Sequence, residues 1–298
     1  MVAVMLVVGI VGCLWDPISD LFSGGLSLGG SSGGGGGSSG GSDKVVEGSV
    51  TVHFVDVGQG DCTVICTENG NMIIDAGTNS SEEEMLSYIN KLGIKSFKYA
   101  IFTHPHEDHI GGAEKIMRNY RVENVIIPDM AATSKVYETM LDSIEESGAN
   151  VKVIGAGEEY SFSIGSLKAK ILAPIEIDND ANNASIVTRV SFGSTDLLFM
   201  GDAEEGSEEL ILSKYRASQL SADIIKLGHH GSSTSSSEEL LDAVKPKVAI
   251  VSCGKDNKYG HPHVETVQRL DARQIEYRRT DNEGSIVCVI TSEGYTFK

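Results

Sequence analysis

Between a strand-like run, Lys98–Phe102, and a Gly111-Gly112 pair, the chain places His104, His106, Asp108 and His109 within six positions. Neutral imidazole suits zinc, iron or manganese, and carboxylate suits the harder of these ions. A hydrophobic core has no use for so much polar capacity, because every buried donor or acceptor needs a partner. Alternate residues of an extended segment point the same way. The spacing therefore predicts that His104, His106 and Asp108 converge while His109 faces a neighbouring point, which suits two adjacent metal ions. A strand, then a ligand loop, then a helix N-terminus is an α/β arrangement with the site at a strand end. A merely decorative polar loop is the weaker reading.

Other polar islands end apolar strands. Asp56-Val-Gly-Gln-Gly-Asp61 closes the first, with glycines that permit a tight turn. Asp75-Ala-Gly77 ends another, and Asp202 follows Leu198-Phe-Met-Gly201. A carboxylate in that place is a turn residue or a ligand, and its two oxygens can bridge two ions. Lys226-Leu-Gly-His-His-Gly-Ser232 and Tyr259-Gly-His-Pro-His263 carry four more histidines. Seven of the eight histidines fall in three short islands and only His53 lies elsewhere, a distribution that scattered structural histidines would not give.

The intervening pattern predicts an α/β chain. Strands are expected at about 49–57, 62–66, 71–74, 98–102, 122–127, 151–154, 159–164 and 167–172. Helices are expected after a Ser81–Glu84 capping box, with Met85, Ile89 and Leu92 on one face, and at about 112–119 and 133–147. The second half repeats the theme, with strands at 185–192, 196–200, 222–226, 247–252, 275–278, 285–290 and 294–297. Its helices fall near 204–214, 237–244 and 263–272. Blocks of strands with helices between them imply two sheets covered by helices.

Residues 48–298 are read as one domain. Met1–Trp15 is almost wholly apolar but shorter than the roughly 20 residues of a membrane span. Residues 1–22 are read as a signal, lipoprotein-like or anchor segment, and the Gly/Ser-rich residues 23–47 as a flexible tether. Cys62 and Cys66 in one strand would lie about 13 Å apart, too far to bridge. With no CxxC pair, Cys62, Cys66, Cys253 and Cys288 are read as small buried residues. The net charge of −18 disfavours broad, non-specific binding to nucleic acid.

Asp75-Ala-Gly, His104-x-His-x-Asp-His109, Gly201-Asp202 and Gly228-His-His230 occur in the order of the metallo-β-lactamase superfamily. Asp56-Val-Gly-Gln-Gly-Asp61, Asn182-Asn-Ala-Ser185, Leu227–Ser232, Gly260-His-Pro-His263 and Thr280-Asp-Asn-Glu-Gly284 resemble more closely the hydrolase domain of ComEC-type competence proteins. Bacterial surface phosphorylcholine esterases share much of the pattern. The resemblance spans about residues 49–290.

It implies an αββα sandwich of two mixed sheets flanked by helices, with one or two divalent ions, Zn2+ or Mn2+, on its edge. His104 and His106 would hold the first ion, Asp108, His109 and His230 the second, and Asp202 would bridge. Asp75 would orient the ligand loop, and His229 and His261 would contact phosphate or donate a proton. Asp56, Asp61, Asn183 and His229 are further candidate ligands. Many superfamily members carry another first-site histidine where this chain has Asn182-Asn183.

The expected reaction is metal-assisted hydrolysis of a phosphodiester outside the cell. DNA is the first expected substrate and phosphocholine on a surface polymer the second. Ile10-Val-Gly-Cys13 resembles a lipobox, so the N-terminus is expected to meet a membrane surface through Cys13 or to be secreted from a bacterium. No protein partner is implied. Rival classes are hydrolysis of a lactam or thioester, and non-catalytic metal binding at the surface.

Overall fold

The computed structural model describes residues 48–298, so the expected signal, lipidation site and tether lie outside the described residues. The first sheet begins with three short strands, β1 (Val50–Phe54), β2 (Thr63–Thr67) and β3 (Gly70–Ile74). It continues with β4 (Ser96–Ile101), β5 (Arg121–Pro128) and β6 (Asn150–Ile154). The second sheet holds β7 (Tyr160–Ile164), β8 (Leu167–Ala173), β9 (Val187–Phe192), β10 (Thr195–Phe199), β11 (Ile224–Lys226), β12 (Val248–Val251) and β13 (Glu276–Arg279). The chain then returns to the first sheet as β14 (Ile286–Thr291) and β15 (Gly294–Phe297), giving the order β15-β14-β1-β2-β3-β4-β5-β6. The second sheet runs β13-β12-β11-β10-β9-β8-β7.

Both sheets are mixed. Antiparallel pairing joins β14, β1, β2 and β3, while β3 to β6 run parallel. In the second sheet β7 to β10 are antiparallel and β10 to β13 parallel.

Side-chain alternation builds the layers. Val50, Val52 and Phe54 of β1 and Ile65 of β2 face the second sheet, where Leu197, Phe199, Ile224 and Ile250 meet them. Phe54 stacks on Phe199 with ring centroids 6.1 Å apart. The opposite parity of β2, Val64 and Cys66, faces helices α1 (Glu82–Lys91), α3 (Ala113–Asn119) and α4 (Lys135–Ser147), for which α2 (Glu107–Ile110) is a short prelude. Leu198, Ile225 and Ala249 face α5 (Glu205–Lys214), α7 (Glu238–Val244) and α8 (Val264–Ala272) beyond the second sheet. Each fully buried Val, Ile, Leu or Phe contributes about 1.5–3 kcal/mol, so period-two alternation alone holds both sheets between their helices. The expected αββα sandwich is the architecture found.

Two local expectations change. Ser81 does not cap α1 through its side chain; its Oγ bonds the backbone N–H and C=O of Thr78, closing the 3-10 turn before the helix. The ligand run is extended only as far as His106. Asp108 and His109 lie in α2, so a helical turn, not strand alternation, separates them from the first two histidines. The short helices α6 (Ala217–Leu220) and α9 (Thr280–Glu283) are additional to the expected set. The four cysteines Cys62, Cys66, Cys253 and Cys288 are free and buried.

Candidate metal centre

The loops that follow β1, β3, β4, β10, β11 and β12 meet at one rim of the sandwich. Backbone hydrogen bonds lace them together. Asp61 N–H donates to the Asp108 carbonyl at 3.1 Å, Ala76 N–H to His109 at 2.7 Å and Gly77 N–H to Asp61 at 2.8 Å. Across the rim, Ile186 N–H donates to the Thr103 carbonyl and His229 N–H to that of Gly201. The packing leaves no room at Gly60, where a Cβ would fall 2.4 Å from the Asp108 carbonyl oxygen. Asp75, His229 and His230 adopt left-handed backbone angles, φ 59°, 46° and 55°. Such strain at non-glycine residues costs on the order of 1–3 kcal/mol each and gathers at functional sites.

Asp75 sets the orientation of two histidines. Its oxygens accept from Thr103 N–H at 2.8 Å, Thr103 Oγ1 at 2.8 Å and His109 Nδ1 at 2.8 Å. The Thr103 hydroxyl spends its proton on Asp75, so it accepts from His104 Nδ1, 3.2 Å away. Both imidazoles therefore carry a proton on Nδ1, which leaves Nε2 as the nitrogen a metal ion would take, in competition with any second proton there. His230 follows the same rule, its Nδ1 donating to the Ser252 carbonyl at 3.1 Å.

The exposed ends converge. His230 Nε2 lies 3.1 Å from Asp108 Oδ2, and His104 Nε2 lies 3.1 Å from His106 Nδ1. Asp202 stands between them. Its Oδ1 is 3.0 Å from His109 Nε2, and its Oδ2 is 3.7, 3.6 and 3.9 Å from the Nε2 atoms of His104, His230 and His229. His109 Nε2 and Asp202 Oδ1 are buried and make no aligned hydrogen bond despite their proximity. Nitrogen and carboxylate donors that crowd a common point, with His109 Nε2 and Asp202 Oδ1 left unpartnered, fit a divalent cation. Two groups satisfy that geometry among the described residues: Asp61, His109, Asp202 and His230, and His104, His106 and Asp202.

Burial opposes charge throughout the cluster, yet opposite charges overcome it. His109 and His230 hold Asp202 well below the usual carboxylate range, and Asp202 and Asp75 hold His109 well above the usual imidazole range. Asp202, Asp108 and Asp61 push His230 up to about 10. Burial and the His109 charge drive His104 well below its ordinary value.

The structure gives the remaining candidates distinct places. Asp61 faces His230 Nδ1 at 3.2 Å, away from Asp108, and its other oxygen meets the buried Lys226 Nζ at 2.7 Å. Asp56 is exposed, and its side chain accepts from Gly58 N–H within its own turn, away from the cluster. Asn183 is engaged elsewhere: its Oδ1 accepts from the N–H groups of Glu204 and Ser207 and its Nδ2 donates to Asp180. This amide serves the start of α5, which spends both of its ends.

A cleft of about 490 Å³ opens on the cluster, lined by His106, Asp108, Asn182, Asp202, His229 and His261 among others. Gln59 Oε1 accepts from Gly254 N–H, so Gln59 turns its Nε2 to His261 Nδ1, 3.2 Å away. The proton of His261 therefore sits on Nε2. Burial and the charges of His230 and His229 push this imidazole down to about 4, so it is a neutral donor near pH 7. His229 Nδ1 faces Glu204 Oε1 at 2.8 Å. Glu204, Gln59, Thr103 and Lys226 carry no chemical signal of their own in the sequence, although Gln59 and Lys226 lie within polar islands.

The Metallo-beta-lactamase superfamily model matches residues 55–255. The chain is 30% identical over 254 residues to ComE operon protein 3 of Bacillus subtilis, covering 79% of this chain and 32% of that protein. It is 31% identical to Recombination protein 2 of Haemophilus influenzae, covering 79% and 28%, and 30% identical to competence protein ComA of Neisseria gonorrhoeae, covering 82% and 33%. The chain thus spans about a third of the length of these relatives. Among solved structures, the metallo-beta-lactamase fold protein YhfI from Bacillus subtilis superposes with a TM-score of 0.51 at 11% identity, covering 80% of this chain and 99% of that one. The fold, the convergent His and Asp cluster and these matches agree: the chain belongs to the metallo-beta-lactamase superfamily, with ComEC-type competence proteins among its relatives.

Proposed function

We propose that the chain is a metal-dependent phosphodiesterase whose first substrate is DNA. The observation that carries this reading is the pairing of convergent histidine and aspartate donors with two imidazoles, His229 and His261, on the wall of one cleft. Divalent ions held by the cluster would supply a water nucleophile ionised near neutrality and a positive field for phosphoryl oxygens. The other tasks fall to the protein. His261 offers its Nε2–H to a phosphoryl oxygen, and the Gln59 amide fixes that tautomer. His229 donates its Nδ1–H to Glu204, so it would contact the phosphate or pass a proton to the leaving oxygen only with Nε2 protonated as well. The Asp75 carboxylate keeps His104 and His109 in register.

An acidic chain can take an anionic substrate when the local field is reversed by bound ions. The test is turnover of a chromogenic phosphodiester with added Mn2+ or Zn2+ by the wild type and by Asp108→Ala and His109→Ala. Undiminished turnover in both variants rejects the reading. Gel assays on single- and double-stranded DNA then test the substrate.

A phosphocholine esterase is the second reading, since exposed Tyr259 at the cleft mouth offers a ring face to a quaternary ammonium. Lys258 Nζ already lies 5.0 Å from that ring centroid, however, and repels a second cation. A neutral base stacked there would leave Lys258 free to meet a neighbouring phosphate. The relatives support a bacterial source, and an apolar N-terminal run followed by a Gly/Ser-rich stretch of sequence supports action at the outer face of a membrane.

A further inference from the structure

We propose that Asn182 Oδ1 is a protein donor to the first metal position, completing the set of His104 Nε2, His106 Nδ1 and Asp202 Oδ2. The inference rests on the metal-dependent reading above but not on the identity of the substrate.

The amide orientation follows from its partner. Asn182 Nδ2 lies 3.2 Å from Glu204 Oε1. A carboxylate can only accept, so the nitrogen must face Glu204 and the oxygen must point the other way. That oxygen is buried and has no hydrogen-bond partner. A buried amide oxygen left in this state is costly unless an electropositive group meets it. The side chain lines the same cleft as His106, Asp202 and His229. Asn183, the neighbouring amide, has both ends engaged and is excluded from this task.

Glu204 is the positioning residue for this donor. Its Oε1 also accepts from His229 Nδ1 at 2.8 Å and from Thr234 Oγ1 at 3.0 Å, so the carboxylate is itself held in place. His104, His106 and Asp202 already bring three donor atoms within 4.8 Å of one another. An amide oxygen supplied from the wall of the same cleft would make the first position richer in oxygen than a three-histidine site. Oxygen donors favour manganese over zinc relative to a nitrogen-only set. The two positions of the cluster would therefore differ in metal preference.

The test is equilibrium dialysis of the full chain, stripped of metal, against Mn2+ alone and Zn2+ alone, with bound metal counted by elemental analysis. Wild type is expected to bind two Mn2+ per chain. Asn182→Ala should keep the ion at Asp108, His109 and His230 and weaken the other at least tenfold. Asn182→His, which supplies a nitrogen in the same place, should restore the second ion and lower the Mn2+ to Zn2+ affinity ratio at least tenfold. Two Mn2+ bound by Asn182→Ala with wild-type affinity overturns the proposal. If Asn182→Ala loses both ions, recovery of two in Asn182→His supports the proposal and failure to recover overturns it. A wild-type chain that binds two ions independently of Asn182 leaves the metal-dependent reading standing. A wild-type chain that binds fewer than two ions overturns the proposal, and one that binds none ends the metal-dependent reading too.

Discussion

Lys226 Nζ lies 2.7 Å from Asp61 Oδ2, and both side chains are almost wholly buried, at 2% and 8% exposure. The ion pair ties the turn after β1 to the end of β11, two segments that belong to different sheets. Lys226 also donates to the Leu227 carbonyl at 2.9 Å, just before the two ligand-loop histidines. Breaking a buried pair leaves an uncompensated charge and costs about 3–5 kcal/mol. Lys226→Met and Asp61→Asn should each lower the thermal midpoint markedly, while the double variant should lose much less than the sum. A double-mutant cycle by thermal denaturation checks this; additive losses reject the coupling.

Asp75 never faces the metal position, yet it holds His109 directly and His104 through Thr103. Replacing such an outer partner typically costs 10–100-fold in metal affinity or activity. Asp75→Asn should reduce affinity for Mn2+ or Zn2+ by about that factor while far-ultraviolet circular dichroism stays native. Unchanged affinity would show that the two histidines orient themselves.

In the metal-free chain the neighbouring carboxylates raise His230 from its ordinary value to about 10. Its proton therefore supports the metal-free fold fully below an unfolded pKa of about 6.5, and that support is lost as pH rises through the folded value. A metal ion must displace the proton, so metal affinity should rise with pH between roughly 6.5 and 10, by about tenfold per unit for one proton. Calorimetric titrations in buffers of different ionisation enthalpy measure the proton release directly. Affinity that does not change across this window contradicts the assignment.

Tyr259 is 53% exposed, stacks on His261 with centroids 5.6 Å apart and sits in a loop fastened by Asn257 to Gly254 and His261. If the substrate is single-stranded nucleic acid, the ring is a rigid platform for an unpaired base. Base stacking on an aromatic side chain contributes about 1–3 kcal/mol. Tyr259→Ala should raise the KM for a single-stranded oligonucleotide about tenfold, with Tyr259→Phe near wild type. A phosphocholine esterase would instead show its large effect on choline-bearing substrates.

The period-two alternation of β1 to β3, the strand-like run before His104 and the polar islands at Asp75, Asp202 and His229-His230 were all readable along the chain. Apolar periodicity reports which face of an element is buried, and chemically unusual clusters betray a site even without coordinates. The sandwich and the principal histidines and aspartates were therefore legible. The ligand loop was read as one extended segment, and its helical turn at Glu107–Ile110 was not. Four residues of mixed polarity leave no period to read.

What the sequence determined by itself was the strands and longer helices, the order of the islands and the kind of chemistry their side chains permit. What only the tertiary structure decided was which partner each polar atom takes. Asn182 and Asn183 are adjacent and identical in type, yet Asn183 spends its amide oxygen on the start of α5 while Asn182, on the wall of the cleft, keeps a buried oxygen without a hydrogen-bond partner. Asp61 and Lys226 are 165 residues apart in the chain, and nothing local joins them. Hydrogen bonds and ion pairs act over about 3 Å between atoms brought together by packing, and their directions are set by the backbone of both partners. Such pairings become visible only when the sheets have closed on one another.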